Sequence, residues 1–193
     1  MSQFEYKPRI ADGVLEKKLR SFGAVLVEGP KWCGKTTTSE QHAKSINYIS
    51  DPVNLNKNMI LAEMNINALL EGDKPKLLDE WQIIPQLWDA VRFEIDHSKG
   101  IGQFIMTGSA VPPEKEKQTK IHHTGTGRIT SLRMRPMSLW ESGESSGEVS
   151  LAHLFNNPGT QIYSESKVQL EQIAFLICRG GWPIATTLEK EYA

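Results

Sequence analysis

Short apolar runs alternate with helical stripes along most of the chain. Val14, Leu15 and Leu19 share one face at helical spacing over residues 14–20, and Ser21 and Gly23 interrupt the stripe. Ala24-Val25-Leu26-Val27 follows as an apolar run bounded by glycines, the pattern of a strand buried in a parallel sheet. Residues 36–44 predict a short helix. Ile46-Asn47-Tyr48-Ile49 alternates as a second strand, which Asp51-Pro52 ends. Ile60, Leu61, Met64 and Ala68 predict a helix over 57–70 with Gly72 as its stop. Lys76-Leu77-Leu78-Asp79-Glu80 reads as a third strand carrying two acids at its C-terminal end. Pro85 suits the first turn of a helix with Leu87, Val91 and Ile95 at helical spacing, and Phe104-Ile105-Met106-Thr107 is a fourth strand ended by Gly108-Ser109. Strands alternating with helices indicate βαβ units, a mainly parallel sheet and an α/β fold.

Beyond Val111 the texture changes. Pro112-Pro113 and the charged run 114–120 predict an exposed loop, and 128–135 a further strand around Ile129, Leu132 and Met134. A flexible loop is expected at 143–147 and a helix at 166–179, broken by Gly180-Gly181-Trp182-Pro183. The pattern predicts one domain over 1–193, with a core about 14–140 and a helical segment about 150–193.

Composition narrows the class. A chain of 193 residues suits one ordinary α/β domain, and 39% hydrophobic with 23% charged residues disfavours general disorder. Lysine plus arginine total 22 against 23 acids, so the net charge of -1 gives no bulk footprint for nucleic acid. No run of eighteen apolar residues exists and the N-terminus is polar and acidic, which argues against a membrane span or secretory signal. Cys33 and Cys178 make no disulfide scaffold and suit a reducing cytoplasm.

The strongest chemical signal is Gly29-Pro30-Lys31-Trp32-Cys33-Gly34-Lys35-Thr36, a full match to the phosphate-binding P-loop (Walker A) G-x-x-x-x-G-K-[ST]. A strand precedes it and a helix follows, as the chemistry requires. Its glycines let backbone amides curve around phosphates, and the helix N-terminus adds a favourable dipole. Lys35 would reach the β- and γ-phosphates of ATP, and Thr36 would offer a hydroxyl to Mg²⁺. Cys33 reads as a small filler rather than a redox centre, since no resolving cysteine is near. The strand-end acids form a Walker B pattern in which Asp79 suits the metal and Glu80 the attacking water. Ligands of parallel sheets lie beyond the carboxyl ends of strands, which makes Thr107 and Ser109 candidates near the γ-phosphate. Arg128 follows a glycine-rich approach and is a candidate γ-phosphate contact, in this chain or a neighbour. Adjacent His122 and His123 have no visible partner cluster and read as solvated. The basic stretch from Lys115 to Arg135 lacks aromatics and reads as a solvated face rather than a nucleic-acid platform.

These residues together resemble a family: prokaryotic AAA-type ATPases whose P-loop domain precedes an uncharacterised, restriction-endonuclease-like C-terminal domain. The resemblance rests on Gly29 to Thr37, Leu78-Asp79-Glu80-Trp81-Gln82, Phe104 to Ala110, Gly127-Arg128, Arg135-Pro136-Met137-Ser138-Leu139 and Gly180-Gly181-Trp182-Pro183. It implies an AAA-like three-layer P-loop NTPase fold, with nucleotide contacts along 29–37 and polar sensors at Thr107 and Ser109. It also implies roles for Lys35, Thr36, Asp79 and Glu80 that match those read from the residues. The resemblance also implies that the C-terminal domain of such relatives lies outside these 193 residues.

Three functions fit. The first is Mg-dependent ATP hydrolysis with Glu80 orienting water. The second is an ATP-dependent switch with little intrinsic hydrolysis. The third is a small P-loop kinase, disfavoured because kinases need no dedicated water-orienting acid. All three are compatible with a protein partner and with a homo-oligomer.

Overall fold

The structure is a computed structural model that describes residues 5–109, 125–166 and 168–188, Ser109 through its backbone alone. The chain divides into two compact units, Arg9–Arg135 and a second drawn from Met1–Pro8 with Pro136–Ala193.

The first unit holds α1 (Ile10–Leu19), β1 (Ala24–Gly29), α2 (Lys35–His42), β2 (Ser45–Tyr48) and α3 (Leu55–Asn65). It continues with β3 (Lys76–Asp79), α4 (Leu87–Ser98), β4 (Phe104–Ser109) and β5 (Ile129–Arg133). The five strands form one all-parallel sheet in the order β2-β3-β4-β1-β5. The fold is the expected α/β three-layer sandwich, parallel throughout.

Side-chain alternation divides the core between the two faces of the sheet. Ala24, Leu78, Phe104 and Met106 face Leu69, Leu70, Leu87, Val91 and Ile95, delivered by α4 and the short 3-10 helix Ile66–Leu69. Val25, Val27, Leu77, Ile105 and Leu132 point the other way, onto Leu15 and Leu19 of α1. The apolar runs at 24–27 and 104–106 are continuous because both faces are covered.

Several boundaries differ from the sequence expectation. The first helix begins at Ile10, where Asp12 accepts from the Arg9 backbone amide at 2.6 Å and closes the N-terminal turn. The helix expected over 57–70 ends at Asn65 and tightens into the 3-10 turn, after which Leu69 and Leu70 both enter the core. The third strand stops at Asp79, because Glu80 turns left-handed at φ 57 and ψ 46.

In the second unit, α5 (Leu139–Ser142), α6 (Leu151–Asn156) and α7 (Leu170–Arg179) are joined by long irregular segments. Here α7 begins four residues later than expected, since Gln169 is extended. The Met137 amide donates to Gly181 O at 2.6 Å, and a Cβ on Gly181 would lie 2.2 Å from Met137 O. That close approach explains the glycine in Gly180-Gly181-Trp182-Pro183.

Candidate active site

The C-terminal ends of β1, β3 and β4 converge, and the strand order places β4 between the other two. The P-loop leaves β1 at Gly29, whose added Cβ would lie 2.4 Å from Met134 O. Trp32 takes a positive φ of 68 and is 75% exposed, while Cys33 turns fully inward. Gly34, left-handed at φ 97, starts α2. The first amides of that helix have no intrahelical carbonyl, and no side chain caps them. Amides so placed can receive an anion, and they stand where the sequence predicts a phosphate loop.

Lys35 is buried, and its ammonium donates to Gly29 O at 3.1 Å and Pro30 O at 3.0 Å. Pro30, Lys31 and Thr37 line the exposed side of the loop. Burial pushes the Cys33 thiol up from its usual value despite the nearby Lys35 and Arg9 charges. A buried, protonated thiol is a poor nucleophile, in keeping with a filler.

The acids connect to this loop through hydroxyls. Asp79 is buried, and its Oδ1 accepts from Thr36 Oγ1 at 2.7 Å and from Thr107 Oγ1 at 2.6 Å. Thr107 accepts in turn from the Glu80 amide at 3.1 Å. Hydroxyls from α2 and β4 thus meet on one carboxylate oxygen of β3. Glu80 is half-buried, and its Oε2 accepts a hydrogen bond from Gln82 Nε2. Trp81 lies in the core against Trp88, ring centroids 5.3 Å apart, which anchors the turn bearing Glu80 and Gln82.

The family model for the AAA domain matches residues 21–142, more than half of the chain. The chain belongs to the AAA domain family. This AAA domain contains the whole P-loop, Asp79, Glu80, Thr107 and Arg128 in the matched range, and nucleotide binding is the property that membership carries. No curated protein matches the sequence. The ORC2 protein of Aeropyrum pernix, solved in ADPNP-ADP complexes, is similar at 14% identity and TM-score 0.44, covering 73% of this chain and 52% of that one. A Pyrococcus horikoshii signal transduction ATPase with numerous domains and a tetratricopeptide repeat sensor is similar at 13% identity and TM-score 0.32, covering 98% and 42%. The AAA domain chain therefore spans about half the length of these two proteins.

The structure brings Gly29 to Thr37, Asp79, Glu80 and Thr107 together, and it does not bring Arg128 to them. The Arg128 carbonyl accepts from the Ala24 amide at 3.1 Å, at the opposite end of β1 from the P-loop. Six strand residues at roughly 3.3 Å each separate the two ends. Arg128 Nε donates instead to Asp96 Oδ1 at 2.6 Å and holds that carboxyl below its ordinary range. A γ-phosphate contact by Arg128 within one chain is thereby corrected, because β5 runs parallel to β1 and starts at the wrong edge. The Ser109 side chain, His122, His123 and the lysines of 115–120 lie outside the described residues. Among the described residues no three His, Cys, Asp or Glu side chains cluster as a metal site, and no helix is long and apolar enough to cross a membrane. Sequence reasoning missed Arg9 and met Gln82 only within the segment Leu78-Asp79-Glu80-Trp81-Gln82, with no role assigned, because both roles depend on partners that folding supplies.

Proposed function

We propose that this AAA domain binds Mg-ATP and hydrolyses its β–γ phosphoanhydride bond, with Glu80 orienting the attacking water. The observation that carries the reading is the hydroxyl-bridged pair of acids beside the P-loop: Thr36, Thr107 and Asp79 share one oxygen, and Glu80 hangs from the same Thr107. Magnesium prefers hard oxygen ligands, keeps several waters, and is usually held by one or two protein oxygens plus phosphates. The Thr36 hydroxyl and Asp79 carboxylate fit that need. The bound ion would neutralise charge on the β- and γ-phosphates.

The chain's own groups do the rest. Amides of the P-loop and the first turn of α2 receive phosphate oxygens, and Lys35 exchanges its two carbonyl partners for them. Glu80 accepts a proton from water as its oxygen attacks the γ-phosphorus. The bond from that phosphorus to the β–γ bridging oxygen breaks, releasing ADP and inorganic phosphate.

Glu80→Gln should keep ATP affinity and lose turnover by about a hundredfold or more, as expected for removal of a general base. Lys35→Ala should lose binding itself. Isothermal titration together with phosphate release separates the two, and wild-type turnover no faster than Glu80→Gln would defeat hydrolysis. The Gln82 amide on Glu80 favours a second reading, a nucleotide switch with slow turnover, because the carboxylate is engaged before water arrives. Gln82→Ala should then raise turnover.

A further inference from the structure

Arg9 lies outside the matched AAA range, yet its side chain reaches the backbone of the P-loop. The residue is 7% exposed, although it carries a full charge. Its Nη1 donates to Cys33 O in the P-loop at 2.9 Å, and its Nη2 donates to Arg135 O just beyond β5 at 2.8 Å. Its backbone amide donates to Asp12 Oδ2 at 2.6 Å, and Asp12 Oδ1 lies 3.1 Å from His42 Nε2 in the last turn of α2. A buried guanidinium is tolerated only where good acceptors surround it, so the position is strongly specified.

The Cys33 carbonyl shares a planar trans peptide with the Gly34 amide, and the two point in opposite directions. A donor fixed on the carbonyl therefore aims the amide away from Arg9, toward the open side of the loop. Gly34 is left-handed and could rotate this peptide at little steric cost. Something outside the loop must hold it, and Arg9 has the planar fork to brace loop and sheet at once.

We propose that Arg9 is a positioning residue for phosphate binding, acting through the Cys33–Gly34 peptide. The proposal rests on the nucleotide-binding reading above. Arg9→Met removes both donors, and Arg9→Lys keeps the charge while losing the fork. In the full chain, displacement of a fluorescent ADP by ADP and by inorganic tripolyphosphate should weaken about tenfold in Arg9→Met, the scale of one charge-assisted hydrogen bond. Arg9→Lys should fall between wild type and Arg9→Met. Displacement by adenosine, which carries no phosphate, should keep its wild-type constant, whereas general damage would weaken every competitor. In a Cys178→Ser background, Cys33 should become reactive to a thiol reagent once Arg9 is replaced, with ADP restoring protection.

Wild-type phosphate affinity in either folded variant would overturn the proposal. Should Arg9→Met fail to fold, Arg9→Lys decides the matter alone, and affinity equal to wild type refutes it. Wild-type protein that binds neither ADP nor tripolyphosphate would instead sink the nucleotide reading, and the proposal with it.

Discussion

Thr107 shows how one hydroxyl can organise a site. It donates to Asp79 and accepts from the Glu80 amide, so it sets both acids at once. Glu80 is also left-handed at φ 57, a conformation costing roughly 1 kcal/mol for a residue with a Cβ. The Thr107 hydrogen bond and the Ile83 amide on Glu80 O at 3.1 Å hold it there. Thr107→Val keeps the shape and removes the hydroxyl. It should lower turnover about tenfold or more while ATP affinity changes little, and Thr107→Ser should recover most of the loss. Steady-state rates beside titration calorimetry separate the two effects. Equal losses in Val and Ser would show that the hydroxyl alone does not account for the effect. Residues of this kind are half-legible from sequence. Lys35, Thr36 and Asp79 sit in patterns with a known chemical purpose, and their meeting follows from a strand-to-helix turn beside a strand end. Arg9 carries no such pattern, and Gln82 lies in one that gives it no role, because each acts on a backbone or side-chain atom that only folding brings near.

At the scale of elements, the 3-10 helix Ile66–Leu69 ends above two lysines. Lys74 Nζ donates to Leu70 O at 2.6 Å and rests 3.7 Å from the Phe104 ring centroid, while Lys76 Nζ donates to Glu71 O. Cations suit the exposed carbonyls at a helix end. Burial, helped by the neighbouring Lys76 charge, pushes Lys74 down to about 8. Above that pH the folded chain has released a proton that the unfolded chain keeps until about 10.5. The unfolded state then binds more protons, so this lysine makes stability rise with pH from about 8 to 10.5, and it has no such effect below 8. The stability difference between wild type and Lys74→Met should shift in favour of wild type across that window. Urea melts at pH 7, 9 and 10 measure it, and a flat difference would show Lys74 to be ordinarily solvated. The apolar stripe over 57–70 forecast a helix, and the tightening after Asn65 was invisible because core packing of Leu69 and Leu70 decides it.

For the whole sheet, the decisive fact is strand order. Because β4 lies between β1 and β3, Thr107 stands between the P-loop and the acids, and β5 closes the far side of β1. Parallel pairing puts every strand's C-terminal end on one edge, and Arg128, before β5, on the other. Arg128→Ala should therefore leave ATP affinity unchanged in dilute protein, and a loss there would overturn this placement. A neighbouring copy remains a route by which Arg128 reaches a site. Turnover per chain that rises with concentration in wild type, but stays flat in Arg128→Ala, would assign it that role.

The sequence by itself determined the alternation of strand and helix, the two-sided burial of β1 and β4, and the P-loop with its paired acids. Each is a local matter, set by side-chain periodicity or by the backbone freedom of two glycines. Tertiary structure alone decided which strand lies next to which. That ordering brought Thr107 of β4 beside Asp79 and Glu80, while the packing of the segment before α1 set Arg9 against the Cys33 carbonyl. The physical reason is that hydrogen-bonded strands are interchangeable by local pattern, and only the packing of whole layers selects one order.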